Sequence, residues 1–245
     1  MGSNPIAPTS SNIAILTEIF ESAAIFIYIH ILMTGYYTFE NIDQKALEYL
    51  RAVGQLKRPW QVDRNRASLL VIDMQKYFLD PESHAFVQSA KPIVPRVKNL
   101  QDTFLELKQP VYQTRHVNTK ENAKVMAIWW ADLIEEGPMA AIIDGLRADR
   151  IKVIKKTQYD AFLDTDLEKD LKCNNIKQVF ITGVTTHLCC ETTARSAFMR
   201  GFEVFFVVDG VATFREDFHR ATILNLAHGF SVPVHTDEIF EKLKK

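Results

Sequence analysis

Two thiols stand side by side in the stretch GVTTHLCCETTARSAF, residues 183 to 198, directly after an apolar run. A cysteine near a helix start can serve as a nucleophile, because free N–H groups and the positive dipole end favour the thiolate. With Thr186 as N-cap, Cys189 falls in the first helical turn. Cys190, Ala194, Ala197 and Phe198 then recur at helical spacing as a stripe facing the core, so Cys190 reads as structural. Cys189 lies on the other side with Thr192, Thr193 and Ser196, a more polar surface, and is the better nucleophile. Cys173, in LKCNN, has no partner at useful spacing and reads as an inert thiol. Adjacent cysteines pair with each other only through a strained ring, so three thiols of this kind build no disulfide framework.

A nucleophile needs a base and a charge to hold it, and two other segments offer them. SLLVID, residues 68 to 73, is a short apolar run ending in Asp73, and IKVIKK, residues 151 to 156, ends in Lys155 and Lys156. Both runs read as buried strands, the first rich in Leu, Val and Ile. Between and beyond them strands alternate with helices. KPIVPRVKNLQDTFLELKQ carries apolar residues at helical spacing, and PVYQTR is the next strand. Residues 116 to 150 form a long irregular excursion with one short helix and the pair Trp129 and Trp130. After it come IKVIKK, a helix at TDLEKDLKCN, the strand KQVFITGV, the cysteine helix, the strand EVFFVVDG, a helix over 215 to 229, the short strand SVPV and a charged terminal helix. This alternation predicts one α/β domain over residues 67 to 245, a three-layer doubly wound parallel sheet of about six strands. In such sheets ligands bind beyond the carboxyl ends of the strands, where the strand order reverses. Carboxylate, amine and thiol all arrive at that edge.

The rest of the chain restricts the function. Its 245 residues are 47% hydrophobic, enough for one large core. The net charge is -1 and there is no basic stripe, so nothing supplies the counterion-release affinity that nucleic acid requires. Residues 13 to 33 are rich in Ile and Ala, yet Glu18, Glu21 and His30 interrupt them, leaving less than a membrane span needs. Residues 1 to 32 are therefore expected to be an appended N-terminal extension, and residues 33 to 66 an amphipathic lead-in. No membrane partner, no secretory signal and a cytoplasmic location are expected.

Three segments, VIDMQKYF, VIKKTQYDAF and GVTTHLCCETTARSAF, resemble in order and spacing the signatures of the isochorismatase-like cysteine hydrolases. That family includes N-carbamoylsarcosine amidohydrolase, nicotinamidase and the isochorismatases. The resemblance implies a Rossmann-like fold and a catalytic Asp73, Lys156 and Cys189. Lys156 is selected over Lys155 because it lies six residues before Phe162. It further implies a cis peptide between Val184 and Thr185, an oxyanion hole from the N–H groups of Thr185 and Cys189, and a homo-oligomer. The chemistry implied is hydrolysis of a C–N bond in a small amide or ureido compound through a thioester. Gln75, Phe78, His116, Trp129, Trp130 and His187 are the candidate substrate contacts. Nicotinamidases carry a D-x-H-x-x-H metal site where this chain has TRHVNTKEN, so no metal and no other cofactor is expected. Two alternatives remain. FREDFHR and the D-M-Q-x-Y-F-L run also resemble isochorismatases, which cleave a vinyl ether by acid catalysis from the Asp; and adjacent thiols suit a non-enzymatic redox sensor or a ligand-binding domain.

Overall fold

The computed structural model describes residues 35–54, 60–130 and 132–243, so the expected extension over 1 to 32 lies outside the described residues. Six parallel strands form one sheet: β1 Ala67–Ile72, β2 Val111–His116, β3 Lys152–Lys156, β4 Gln178–Val184, β5 Glu203–Ala212 and β6 Val232–Val234. Their spatial order is β3-β2-β1-β4-β5-β6. The chain steps outward from β1 to β3, then crosses back to β4 on the other side of β1 and steps outward again. The reversal point is the β1/β4 pair, where an open parallel sheet leaves a crevice beyond its carboxyl ends.

Nine helices flank the sheet among the described residues: α1 Ile42–Val53, α2 Lys76–Leu79, α3 Val94–Glu106, α4 Lys120–Ala123, α5 Met126–Trp129, α6 Leu167–Cys173, α7 Glu191–Met199, α8 Glu216–Gly229 and α9 Thr236–Leu243. β1 and β4 are buried along their whole length, as continuous apolar runs in the middle of a covered parallel sheet must be. Across them Phe104 meets Phe180 at 5.5 Å and Phe180 stacks on Phe205 at 4.6 Å, joining a flanking helix to two strands. The lead-in is not peripheral. Tyr37, Ile42, Ala46 and Tyr49 belong to the same buried cluster as the central strands.

Two sequence expectations are corrected. The excursion after β2 holds not one short helix but α4, α5 and the 3-10 turns Pro138–Ala140 and Asp144–Leu146. A reciprocal Thr119 and Asn122 capping box lets even a four-residue helix start there. The cysteine segment also begins differently. Thr186–Cys190 is a π-helical turn, with Cys190 N–H donating to Thr185 O, and regular helix starts only at Glu191. Thr186 is therefore not the N-cap. From Cys190 onward the helix keeps the expected phase, with Cys190, Ala194 and Ala197 fully buried, and Thr193 joins them at i+3. Phe198, expected in the core, is 48% exposed, whereas Thr193 and Ser196, expected on a polar surface, are buried.

Candidate active site

Strand periodicity decides which lysine turns inward. Along β3 Lys155 is exposed and Lys156 is buried, because successive side chains point to opposite faces. Register then places Lys156 beside His116 of β2. Asp73 follows the last residue of β1 in a left-handed backbone conformation, φ 48°. Its backbone N–H donates to Thr114 Oγ1 at 3.0 Å and the same hydroxyl donates to its Oδ1 at 2.6 Å. Beside it, Gly183 of β4 has a positive φ of 109°, and a Cβ there would lie 2.0 Å from Ile72 O. Only glycine lets β4 pass so close to the end of β1 and deliver the Cys189 turn next to Asp73. The Val184–Thr185 peptide in this turn is cis.

The three predicted groups converge. Lys156 Nζ lies 2.7 Å from Asp73 Oδ2, 3.4 Å from Cys189 Sγ, 3.3 Å from His116 Nδ1 and 2.9 Å from the Gln158 carbonyl. Asp73 and Lys156 are fully buried. Burial disfavours the ammonium, but Asp73 and then Cys189 outweigh it and hold the lysine above its usual range. Burial pushes the Cys189 thiol up to about 12, against the pull of Lys156. Burial in the π turn thus works against the thiolate, where the sequence reading expected a helix start to favour it. Asp73 Oδ2 touches the ammonium yet accepts no well-directed hydrogen bond, so an acceptor site stays open for the thiol proton. Cys190 is buried against the strand, its thiol also pushed well up by burial, in keeping with a structural role.

Cys189 and Thr185 border a cavity of about 330 Å³. Phe78, Trp130, Tyr159, Leu188 and Phe214 make its largely apolar wall, with His116 and Asn118 at one side. Of the expected contacts, Phe78, His116 and Trp130 line it. Trp130 Nε1 donates to Tyr159 Oη at 2.6 Å, which fixes one wall. Three others do not line it. Gln75 is fully buried and spends its amide on the backbone of His116 and Ala140, tying α2 to β2 and the excursion. His187 stacks on Phe218 at 4.5 Å and meets Thr213 Oγ1 at 2.7 Å. Trp129 is 75% exposed. A larger groove of about 1490 Å³, around Trp60 and Phe230, lies at the amino ends of β4 and β5, away from these groups.

Several contributors had no sequence signal. Thr114 and the Gln158 carbonyl hold Asp73 and Lys156, one through a common strand residue and the other through backbone. Below the Cys189 turn, Tyr37 Oη donates to Val208 O and lies 3.1 Å from His219 Nε2, while His219 Nδ1 is 3.0 Å from Thr186 Oγ1. This chain joins the lead-in to the turn carrying Cys189.

Ligand atoms of Asp73, His116 and Cys189 lie within 4.8 Å of one another, the spacing of a metal site. They do not fit a cation, because the Lys156 ammonium already touches all three. A divalent ion would meet a fixed positive charge at contact distance. A second trio, Asp43, Asp209 and His235, is likewise occupied, by the Arg96 guanidinium. No helix among the described residues is long and apolar enough to cross a membrane.

Comparison with known proteins places these features. The isochorismatase domain model matches residues 67–238. Nicotinamidase 3 of Arabidopsis thaliana is 38% identical over 183 residues, covering 72% of this chain and 88% of that protein. The isochorismatase of Bacillus subtilis is 30% identical over 197 residues, covering 78% of this chain and 62% of that protein. A cysteine hydrolase from Pseudomonas syringae pv. phaseolicola shares the fold with a TM-score of 0.73 at 23% identity, covering 78% of this chain and 97% of its own. With its central sheet, reversal point and site-bearing turns inside the matched span, this chain belongs to the isochorismatase family of hydrolases.

Proposed function

We propose that the chain is a cysteine amidohydrolase that cleaves the C–N bond of a small amide through a thioester. The observation that carries this reading is the contact of Cys189 Sγ with the Asp73–Lys156 pair at the wall of an apolar, small-molecule-sized cavity. The relative named nicotinamidase supports an amide as substrate.

In this mechanism Asp73 Oδ2 takes the thiol proton as Cys189 Sγ bonds to the substrate carbonyl carbon. The carbonyl electrons move onto oxygen, which the N–H groups of Thr185 and Cys189 stabilise, at about 3–4 kcal/mol per donor. Collapse breaks the C–N bond, and the nitrogen leaves with the proton from Asp73. Water then gives its proton to Asp73 and attacks the thioester, releasing the acid and restoring the thiol. Lys156 holds Asp73 in place and offsets charge on the sulfur as it forms. A thiol raised to about 12 suits this route, because it ionises only when base and substrate are both present. The same burial makes Cys189 a poor oxidant sensor.

Acid cleavage of a vinyl ether is the competing chemistry. The ether route starts from a protonated Asp73, whereas the thiol route starts from the carboxylate, the form that an ammonium at 2.7 Å attracts. Ammonia release from a panel of small carboxamides and ureido compounds, with isochorismate alongside, tests the proposal in a Cys173→Ser background that removes the exposed thiol. Amide turnover that is lost on Cys189→Ala is the expected result. Isochorismate cleavage that survives Cys189→Ala, with no amide turned over, would overturn it.

A further inference from the structure

Lys156 Nζ has three protons and four neighbours within 3.4 Å: Asp73 Oδ2, the Gln158 carbonyl, Cys189 Sγ and His116 Nδ1. None of these contacts tolerates a second donor pointing back at the ammonium. His116 Nδ1, 3.3 Å from it, must therefore present a lone pair. Burial, and then Lys156 itself, lower the His116 pKa to about 4, so the ring is neutral and its single proton sits on Nε2.

Asn118 Nδ2 stands 3.0 Å from Nε2, an orientation that the tautomer reverses. With Nε2 protonated, the amide atom at that position is the oxygen, since a nitrogen there would set donor against donor. The oxygen and nitrogen of an amide have nearly the same shape, so hydrogen-bond chemistry assigns them. This assignment gives up at most a weak N–H contact with Met126 Sδ at 3.9 Å. It also relocates the problem at Asn118. The remaining amide position is buried and has no partner, and it now carries an NH2 rather than an oxygen. Asn118 is 3% exposed and lines the cavity, as does Thr185, whose Oγ1 is also buried without a partner. An unsatisfied buried polar group costs about 1–3 kcal/mol, so two beside one apolar cavity mark where a bound molecule supplies partners.

We propose that Asn118 is a specificity-determining residue whose side-chain NH2 donates to an acceptor atom of the substrate other than the scissile carbonyl. The inference rests on the reading of the cavity as an amidase pocket and narrows its substrate class. The substrate is a small, largely flat amide bearing a second acceptor, a ring nitrogen or an additional carbonyl, presented across the His116 ring from Lys156. A site built to donate to such an atom discriminates against an isostere lacking it, because the isostere leaves the donor buried and unpaired.

Nicotinamide and benzamide differ in one ring acceptor and have nearly the same shape. Both are tested by ammonia release and by ligand-induced shift in melting temperature, on the wild type and on Asn118→Asp, which keeps an acceptor for His116 Nε2 and removes the NH2. The expected result is a wild-type preference for nicotinamide of about tenfold or more, equivalent to about 1.4 kcal/mol, that collapses to within about threefold in Asn118→Asp. An equal response of the wild type to both compounds, an unchanged preference in the variant, or binding of neither at millimolar concentration would overturn the assignment. Discrimination in binding without ammonia release would leave Asn118 in its role and remove the amidase reading. Ammonia release without discrimination would do the reverse. Long-range nitrogen–proton NMR gives an independent check: His116 must show the Nε2–H tautomer, and the Nδ1–H form would defeat the argument.

Discussion

The molecule buries two acids against two cations, and it treats them in opposite ways. Asp209, within β5, receives the Thr236 backbone N–H at 3.0 Å on Oδ1, and both Arg96 Nη1, at 2.8 Å, and the Thr236 hydroxyl on Oδ2. Arg96 continues to Asp43 at 2.8 Å, so this cluster ties α1, α3, β5 and the start of α9 together. Its acid is saturated by donors. Asp73 is equally buried, yet only its Oδ1 is held by a hydrogen bond, and Oδ2 meets the ammonium with acceptor capacity left over. That open capacity faces a thiol at the wall of a cavity. A carboxylate whose lone pairs are all engaged by protein can only hold elements together, whereas one left partly open can move a proton.

The sharpest way to break this contrast is to neutralise each acid. Asp73→Asn and Cys189→Ala should each lower amide kcat/KM by at least about 10³-fold while the far-ultraviolet circular dichroism stays native. Asp209→Asn should leave kcat per folded molecule within a few-fold; a loss as large as that of Asp73→Asn would erase the distinction. Lys156→Met leaves Asp73 buried without its cation and should cost about 3–5 kcal/mol in urea unfolding as well as activity. Adding Asp73→Asn to Lys156→Met should return much of that stability and none of the activity. Asp209→Asn alone should cost about 2–3 kcal/mol, the loss of charged hydrogen bonds, and show itself in stability only.

A pH-dependent effect concerns the two buried histidines, one beside each half of the site. Burial lowers His116 to about 4 and His219 to about 3, both below the ordinary value of 6.5. The unfolded chain then binds protons that the folded chain refuses. Stability from this source is complete above pH 6.5 and falls as the pH drops toward 4 and 3, by up to about 1.4 kcal/mol per pH unit for each group. Urea midpoints between pH 7 and 4 should show the decline, and His219→Gln should make it shallower. An unchanged slope in His219→Gln would mean that the Tyr37–His219–Thr186 chain is not what acid disrupts.

Much of the fold was legible because burial in a parallel sheet writes itself locally. SLLVID, KQVFITGV and EVFFVVDG are apolar runs that need no knowledge of their neighbours, and each is a strand within a residue or two of its expected ends. Chain order and motif spacing also singled out Asp73, Lys156 and Cys189, which the structure brings into contact. Illegible features depend on phase or distance. Cys190, Ala194 and Ala197 are buried as expected, but Thr193 at i+3 completes that face and Phe198 at i+8 falls beyond its edge, because helical spacing gives a stripe's direction and not its width. Gln75 and His187 lie close in sequence to the site yet spend their polar atoms elsewhere, because adjacency along a chain does not set direction. Asn118, Tyr159 and Phe214 come to the cavity from three separate loops.

By itself, then, the sequence determined which segments are strands and which residue types meet at the reversal of strand order, consequences of local burial and period, while the choice of Lys156 over Lys155 came from the family resemblance. Tertiary structure alone decided that burial works against the Cys189 thiolate, that Asp73 Oδ2 meets the ammonium with acceptor capacity left over, and that Asn118 comes to the cavity wall. Those properties belong to distances between groups far apart in the chain, where low dielectric and unpaired hydrogen-bonding atoms, rather than residue identity, set the chemistry.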